Sequence, residues 1–243
     1  MPRDLPDWGA LSAQSTVYEV TDLGELAARL GSINTFDRRG DVLLLDDFEA
    51  GIDKWEVIVG GSGDSVTLSS ARARNGRYSA LLTADSGVAP AALMLRQLPY
   101  PVLSRFGLEV SFNFDVPVAR LAFLFQLEDG TNKTVFIVRW EDADGELQYQ
   151  DSSGSYVAFA TNVDPQVPET LFHTLKLVVD GVNGKYARVL YDNTEYDLGD
   201  IAAQVAASAV SPRLGVQIAL TATVGQAQLV YADDVIITQN EPA

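Results

Sequence analysis

The sequence predicts an all-β protein, and three observations support that prediction. From residue 42 onward, short runs rich in Val, Leu, Phe and Tyr recur between clusters of Gly, Asn, Asp and Ser, which is typical of a β-sandwich or barrel. Three of these clusters, 128–132, 142–145 and 180–184, have the turn chemistry of β-hairpins. The run 108–114 alternates apolar and polar residues, as a strand with one solvated face does.

Residues 1–41 are predicted to form an N-terminal arm outside the sheets. Asp22 followed by Glu25 resembles a capping box and Gly31 supplies a stop, so the arm is expected to hold one short helix at about 22–31. A helix this short is not stable alone, so its leucine face must dock. The helix residues Leu23, Leu26 and Leu30 are expected to bury against the sandwich or a neighbouring chain. The apolar residues before the helix, Leu5, Trp8 and Leu11, are expected to anchor assembly with a partner chain.

Residues 42–243 are predicted to form one antiparallel β-sandwich domain, long enough to bury a core without covalent staples. The lack of Cys excludes disulfides, zinc–thiolate sites and thiol catalysis. A further short helix is expected at 201–207, with Asp200 as its cap. Strands are expected near 42–49, 55–59, 65–70, 77–83, 91–97, 106–114, 119–127, 133–140, 146–150, 155–160, 171–179, 185–191, 213–221 and 226–238.

The charge balance limits the classes of partner. The chain has 17 Lys and Arg against 33 Asp and Glu, for a net charge of −16. Such a field repels nucleic acid and anionic membrane surfaces, so neither is an expected partner. The first residues lack a basic stretch followed by an apolar one, so no signal peptide is predicted.

Several segments resemble concanavalin A-like lectin and glucanase jelly rolls. The stretch 171–181 followed by 186–193 is similar to a hairpin of those proteins, and 45–51 with Trp55 is similar to their opening strand. Residues 75–79 and 232–235 match strands of laminin-G-like and carbohydrate-binding-module-like sandwiches. The resemblance covers about 45–238 and implies a jelly-roll fold. It does not imply one activity, because this superfold hosts enzymes, lectins and virion proteins.

Paired aspartates in two apolar runs, Asp46-Asp47 and Asp233-Asp234, suggest that the first and last strands are neighbours whose carboxylates share a cation. The resemblance implies a structural Ca²⁺ with Glu49 and Asp234 as side-chain ligands, and Asp47 is a further candidate. Adjacent strand residues point to opposite faces, so Asp233 and Asp234 are expected to separate. The alternative is that these acids are solvated strand ends.

The sequence offers no clear catalytic constellation. The glucanases of this fold carry a Glu-x-Asp-x-x-Glu pattern on one strand face, whereas the acidic cluster 141–146 contains an Asp-Gly turn and does not match it. His173 is the one His, and a Gly-x-Ser-x-Gly elbow is absent. We therefore expect that this protein is not an enzyme.

Sugar binding requires exposed aromatic rings, and Trp140, Tyr149 and Tyr156 are the candidates for a stacking platform. Aromatic residues at strand spacing are, as the alternative, often part of the core.

Three hypotheses for function follow. The first is a non-catalytic structural or binding protein of a bacteriophage virion, a capsid decoration or tail-associated component. It would bind its own copies or a capsid or tail protein, and be made in the host cytoplasm. The second is a carbohydrate-binding module that recognises polysaccharide, and the third is an enzyme like the glycoside hydrolases. A cytoplasmic or extracellular location is the alternative to the virion.

Overall fold

The computed structural model describes residues 39–85, 87, 91–114, 118–143, 145–163 and 171–242. These residues form antiparallel strands and contain no helix, and thus none that could span a membrane. The strands are β1 (Asp41–Asp46), β2 (Glu56–Val59), β3 (Ser65–Ser69), β4 (Ser79–Ala84), β5 (Ala91–Pro99), β6 (Arg105–Asn113), β7 (Arg120–Glu128), β8 (Asn132–Glu141), β9 (Glu146–Gln150), β10 (Tyr156–Ala160), β11 (His173–Asp180), β12 (Lys185–Tyr191), β13 (Thr194–Asp197), β14 (Gln204–Ala207), β15 (Arg213–Thr221) and β16 (Gln228–Gln239).

Two sheets pack face to face. Sheet 1 has the order β13-β12-β11-β6-β16-β4-β3, with β1 also paired to β16. Sheet 2 has the order β10-β9-β8-β7-β15-β5-β2, with β14 also paired to β8. The predicted all-β antiparallel sandwich is therefore confirmed. The predicted arm, with its helix at about 22–31 and its six apolar anchors, lies outside the described residues.

The core lies between the sheets and is built from alternate strand residues. On β7 the inward side chains Leu121, Phe123 and Phe125 are fully buried, and on β6 Leu108 and Val110 face them from sheet 1. Because strand side chains point alternately to the two faces, the residues between these are left on the outer surfaces. Each sheet therefore has an outer face, part of which is covered, since outward-facing Glu109 of β6 is 1% exposed.

The prediction of a helix at 201–207 is wrong. Residues Gln204–Ala207 form strand β14, which pairs with residues 132–135 of β8. Strand β9 pairs with residues 138–141 in the second half of β8. The same edge of β8 is therefore open along its first half, where β14 pairs. Asp200 has φ +72° in a turn and binds the Lys185 side chain, so it does not cap a helix. Tertiary pairing outweighs the weak local signal here.

Candidate functional site

The first and last strands of the described part are neighbours, as predicted. Strand β1 pairs antiparallel with β16, with Asp46 opposite Val235. The register of β16 against β6 shifts between Asp233 and Ile236, and Asp234 within this bulge has φ +45°. The expected separation of Asp233 and Asp234 is therefore wrong. A bulge breaks the alternation, and both carboxylates reach the same loop, residues 72–78.

Three carboxylates hold this loop, and we call Glu49, Asp233 and Asp234 the acidic clasp. Asp233 Oδ2 accepts hydrogen bonds from the backbone N–H of Arg74 at 2.6 Å and of Asn75 at 3.3 Å. Asp234 Oδ2 accepts one from Asn75 Nδ2 at 2.6 Å. The clasp thus ties the closing strand to a loop that precedes β4.

Glu49 holds the other end of the same loop. Its Oε1 accepts hydrogen bonds from the backbone N–H groups of Arg77 and Tyr78, at 2.5 and 2.7 Å. Gly76 lies between the two attachment points with φ +66°, and a Cβ there would meet Glu49 Oε1 at 2.5 Å. Only glycine suits this position, since other residues rarely adopt that φ and would clash with the carboxylate.

Asp46 and Asp47, the pair on the first strand, separate as alternation requires. Asp46 is 1 % exposed, and its carboxylate accepts hydrogen bonds from Trp55 Nε1 at 2.9 Å and Lys54 Nζ at 3.1 Å. Asp47 is exposed and accepts the backbone N–H of Glu49 at 3.2 Å. Asp46 is therefore satisfied by its own neighbours, whereas Asp47 lies on the clasp side.

The surroundings of the clasp raise the pKa values of two of its carboxylates. Burial, and secondly the charge of Asp234, raise the pKa of Asp233 to about 6. Burial also raises the pKa of Asp234, and the charge of Asp47 adds to the effect. The Arg74 guanidinium, with its Nε 3.9 Å from Asp234 Oδ2, lowers the pKa of Asp234 and partly offsets this effect. The ionised forms of these aspartates are thus destabilised by their surroundings.

This donor set suits Ca²⁺, which prefers carboxylate and carbonyl oxygens. Within the described ranges, however, no three acidic or His side chains are grouped so that they could hold a metal ion by themselves. An ion at the clasp would therefore need other oxygen ligands besides those of the predicted carboxylates Asp234, Glu49 and Asp47 that reach it. The calcium site remains a prediction.

A second polar group lies on the outer face of sheet 2, and we call it the polar row. Its members are Arg120, Arg139, Glu141, Glu146, Gln148 and Tyr156. The strand register explains why they meet: on β8, Glu141 lies opposite Arg120 of β7 and Glu146 of β9. Arg139, two residues before Glu141, therefore shares its face and lies opposite Gln148.

Arg139 is the centre of the row. Its Nη2 lies 3.0 Å from Glu141 Oε2, which also lies 2.6 Å from Arg120 Nε. Its Nε donates a hydrogen bond to Gln148 Oε1 at 2.9 Å. The guanidinium lies 3.5 Å from the ring centroid of Tyr156, which is 36 % exposed. A continuous hydrogen-bonded chain therefore orients an accessible aromatic ring.

Among the three aromatic residues predicted to form a stacking platform, Tyr156 is the one that is exposed. Trp140 is 4 % exposed, so its assignment to an exposed platform is wrong. It follows the outward-facing Arg139 and points into the core. Tyr149 is partly buried, with its ring centroid 5.7 Å from that of buried Tyr186. Both belong to the inner face of sheet 2.

The remaining residues considered for catalysis, His173 and the acidic cluster 141–146, lie in a buried strand and in a hairpin turn. His173 is 5 % exposed, its ring stacks on Tyr191, and its Nδ1 lies 2.7 Å from Asp192 Oδ2. The cluster 141–146 is a hairpin, as predicted, closed by a hydrogen bond from Gly145 N to Asp142 O. Sequence analysis missed Arg139 and Gln148, although applying the two-residue period to β8 and β9 would have placed them on one face.

The fold is an antiparallel jelly-roll β-sandwich of the concanavalin A-like kind. Among solved structures, the chain is similar to a carbohydrate esterase of the Shiga toxin-encoding bacteriophage phi24B, with 16% identity, 83% of this chain and 100% of that chain covered, and a TM-score of 0.55. It is also similar to the endo-β-1,4-glucuronan lyase of the fungus Trichoderma reesei, at 11% identity, 82% and 96% coverage, and a TM-score of 0.54.

A protein of unknown function with a galectin-like fold from Bacillus subtilis is a third similar structure, at 12% identity, 83% and 97% coverage, and a TM-score of 0.52. No protein-family model matches the chain, and no curated protein matches it in sequence. At these identities the likeness concerns the fold alone, and the predicted resemblance to concanavalin A-like jelly rolls is confirmed at that level.

Proposed function

We propose that this chain is a non-catalytic binding domain that recognises polysaccharide through the outer face of sheet 2. The observation that carries the proposal is the polar row, in which Arg139 holds the ring of exposed Tyr156. Sugar sites combine an aromatic surface for the pyranose ring with a few polar groups that are already oriented. Orientation before binding reduces the entropy that binding costs. The similarity in fold to carbohydrate-active proteins is compatible with this role.

The proposal of a non-catalytic role rests on the carboxylates of the row. Glu141 is bound by two arginines, and Glu146 Oε2 accepts a hydrogen bond from Gln148 Nε2 at 2.8 Å. A retaining or inverting glycosidase needs one carboxylic acid and one carboxylate on opposite sides of the scissile bond. Both carboxylates already bind other side chains of the row. This favours a role in holding those side chains in position over a role in catalysis.

The test is a binding assay with a matched pair of variants. Wild type, Tyr156→Ala and the control Tyr78→Ala are incubated with insoluble cellulose, xylan and β-1,3-glucan, and the protein left in solution is measured. We expect depletion of wild type and Tyr78→Ala by at least one polysaccharide, and little depletion of Tyr156→Ala. Failure of every polysaccharide to bind, or equal binding by Tyr156→Ala, contradicts the proposal. Release of reducing sugar by wild type but not by Glu141→Gln would instead support the hypothesis that the protein is a glycoside hydrolase.

A structural subunit, such as a capsid decoration or tail-associated protein of a bacteriophage, is the second candidate. The observation that favours it is apolar surface on two edge strands. Val42 and Leu45 of β1 are 63% and 57% exposed, and Val57, Ile58 and Val59 of β2 are 41–45% exposed. Exposed edge strands with apolar side chains are natural contact points for another chain. The fold is also similar to that of one phage protein.

Light scattering after size-exclusion chromatography tests the structural role. If β2 contacts a second copy, wild type is larger than a monomer and Ile58→Lys is a monomer with an unchanged melting temperature. The control Val182→Lys changes a valine in the β11–β12 turn that is 62% exposed, and it should keep the wild-type mass. A monomeric wild type excludes contact between copies, and leaves a capsid or tail protein as the partner to be tested by pull-down.

A further inference from the structure

The outer face of sheet 1 carries a cavity of about 650 Å³, on the sheet that does not hold the polar row. Its floor follows from the strand register. Asp180 on β11 lies opposite Arg105 of β6 and Lys185 of β12, and Arg188 of β12 lies opposite Asp197 of β13. The volume lies in the range of sites for small ligands.

The charge in this cavity differs from that of the whole chain. The lining has three cationic residues, Arg105, Lys185 and Arg188, and four acidic ones, Asp180, Glu195, Asp197 and Asp200. The whole chain, by contrast, has 17 Lys and Arg against 33 Asp and Glu. A nearly balanced lining favours neither a polyanion nor a free cation, and it places donors and acceptors beside each other.

Arg188 lies on the floor of the cavity, and one of its buried donors forms no hydrogen bond. Arg188 is 5% exposed; its Nη1 donates to the carbonyl of Pro242 at 2.9 Å and its Nη2 to Glu241 Oε2 at 2.8 Å. Its Nε is buried and has no hydrogen bond, with Glu195 Oε2 4.0 Å away. This nitrogen is covered, so the guanidinium contributes positive charge to the floor of the cavity, and ligand hydrogen bonds would come from the more accessible lining groups.

Hydrogen bonds hold the rim of the cavity in place. Asp180 Oδ1 accepts the backbone N–H groups of Val182 and Asn183, both at 2.9 Å, and Asp180 Oδ2 accepts Asn183 Nδ2 at 2.9 Å. Asp197 Oδ1 accepts the N–H of Gly199 at 2.8 Å. Groups that are already held in place lose little freedom when a ligand binds.

We propose that this cavity binds a neutral sugar residue, at a site separate from the polar row. Each sugar hydroxyl donates one hydrogen bond and accepts others, which matches neighbouring carboxylate and cationic side chains. The aromatic ring in the lining, that of Tyr186, is buried among Phe136 and Tyr149, so recognition uses hydrogen bonds without stacking. The expected affinity is therefore weak, with a dissociation constant on the order of 1 mM. This inference does not depend on the proposed function of sheet 2.

The experiment is a titration of ¹⁵N-labelled protein followed by amide chemical shifts. The probes are cellohexaose, xylohexaose and laminarihexaose, with tetragalacturonate as the charged comparison. We expect saturable shifts at the amides of Asn183 and Gly199 with at least one neutral probe. Lys185→Ala and Asp197→Ala should each raise the dissociation constant about tenfold or more, equivalent to about 1.4 kcal/mol.

Two control variants separate this site from the polar row. Lys133→Ala changes a lysine on β8 of sheet 2, and Tyr156→Ala removes the ring proposed to bind polysaccharide; both should keep the shifts at Asn183 and Gly199. The proposal is overturned if no neutral probe shifts these amides at about 10 mM. Unchanged affinity in Lys185→Ala and Asp197→Ala, or tighter binding of tetragalacturonate than of every neutral probe, overturns it equally. Melting temperatures of the variants verify that each one is folded.

Discussion

Lys176 Nζ lies 2.6 Å from Glu241 Oε1 on the outer face of sheet 1, where the two side chains are 2% and 0% exposed. Arg188 Nη2 binds the other oxygen of the same carboxylate at 2.8 Å, and Thr238 Oγ1 donates to Oε1 at 2.5 Å. Gly107 leaves the space for this group, since a Cβ there would meet Lys176 Cε at 2.8 Å. The residues after β16 are therefore attached to the sheet by a buried ionic cluster.

Replacing Glu241 with Gln should lower the free energy of unfolding by about 3 kcal/mol, because two buried cations lose their shared carboxylate. Urea unfolding measures the difference. Asp200→Asn is the matched control: its partner Lys185 forms an ion pair at the surface, where Asp200 is 94% exposed. Such pairs contribute little, so the control should unfold like wild type. Equal losses in the two variants would contradict the importance of burial.

Stability should depend on the protonation of Asp233 between about pH 4 and pH 6. Its folded-state pKa of about 6 lies above the ordinary 3.8, so the folded protein binds this proton more tightly than the unfolded chain does. The stabilisation due to protonation therefore increases as the pH falls through 6 and is lost as the pH rises through it.

The measurement for Asp233 is urea unfolding at pH 7 and pH 5, in the presence of a chelator. In Asp233→Asn the difference between the two pH values should be smaller than in wild type. The exposed Asp53→Asn serves as the control and should keep the wild-type difference. A dependence in Asp233→Asn that equals that of wild type would show that another group titrates in this range.

Calcium should raise the melting temperature of the wild type if the acidic clasp holds the ion. A ligand that binds only the folded state stabilises it by about 2.7 kcal/mol at one hundred times its dissociation constant. Asp234→Asn keeps the shape of the side chain but removes the charge, so it should abolish the shift, whereas Asp53→Asn should retain it. Identical shifts in Asp234→Asn and wild type, or none in either, would remove the calcium site.

Arg139→Lys should weaken polysaccharide binding while leaving the fold intact. The lysine keeps the positive charge. It has a single ammonium group, however, which cannot contact Glu141, Gln148 and the Tyr156 ring at the same time as the guanidinium does. We expect about a tenfold loss of affinity, since oriented hydrogen bonds and a cation–π contact are lost together. Affinity electrophoresis in the polysaccharide bound by wild type measures the loss. Wild-type affinity in Arg139→Lys would mean that the charge alone suffices.

Much of the strand pattern could be predicted from local sequence because its signals are local. Alternation along 108–114 and the turn residues at 128–132, 142–145 and 180–184 locate strands and hairpins without knowledge of the partners. The paired aspartates also predicted that the first and last strands are neighbours, although buried Asp46 is compensated by Lys54 and Trp55 of its own segment and not by the last strand. Strand β14 was missed, because its conformation depends on the free edge of β8, more than 60 residues away in sequence.

The sequence by itself determined an all-β sandwich with paired acids on its first and last strands. Tertiary structure alone decided which side chains face outward. A two-residue period defines two faces but does not say which one is covered, so Trp140 was expected at the surface and lies in the core, while Arg139 beside it is outward. The bulge at Asp234 likewise depends on the register between β16 and β6. Pairing between distant strands sets that register, and therefore sets which residues meet in a site.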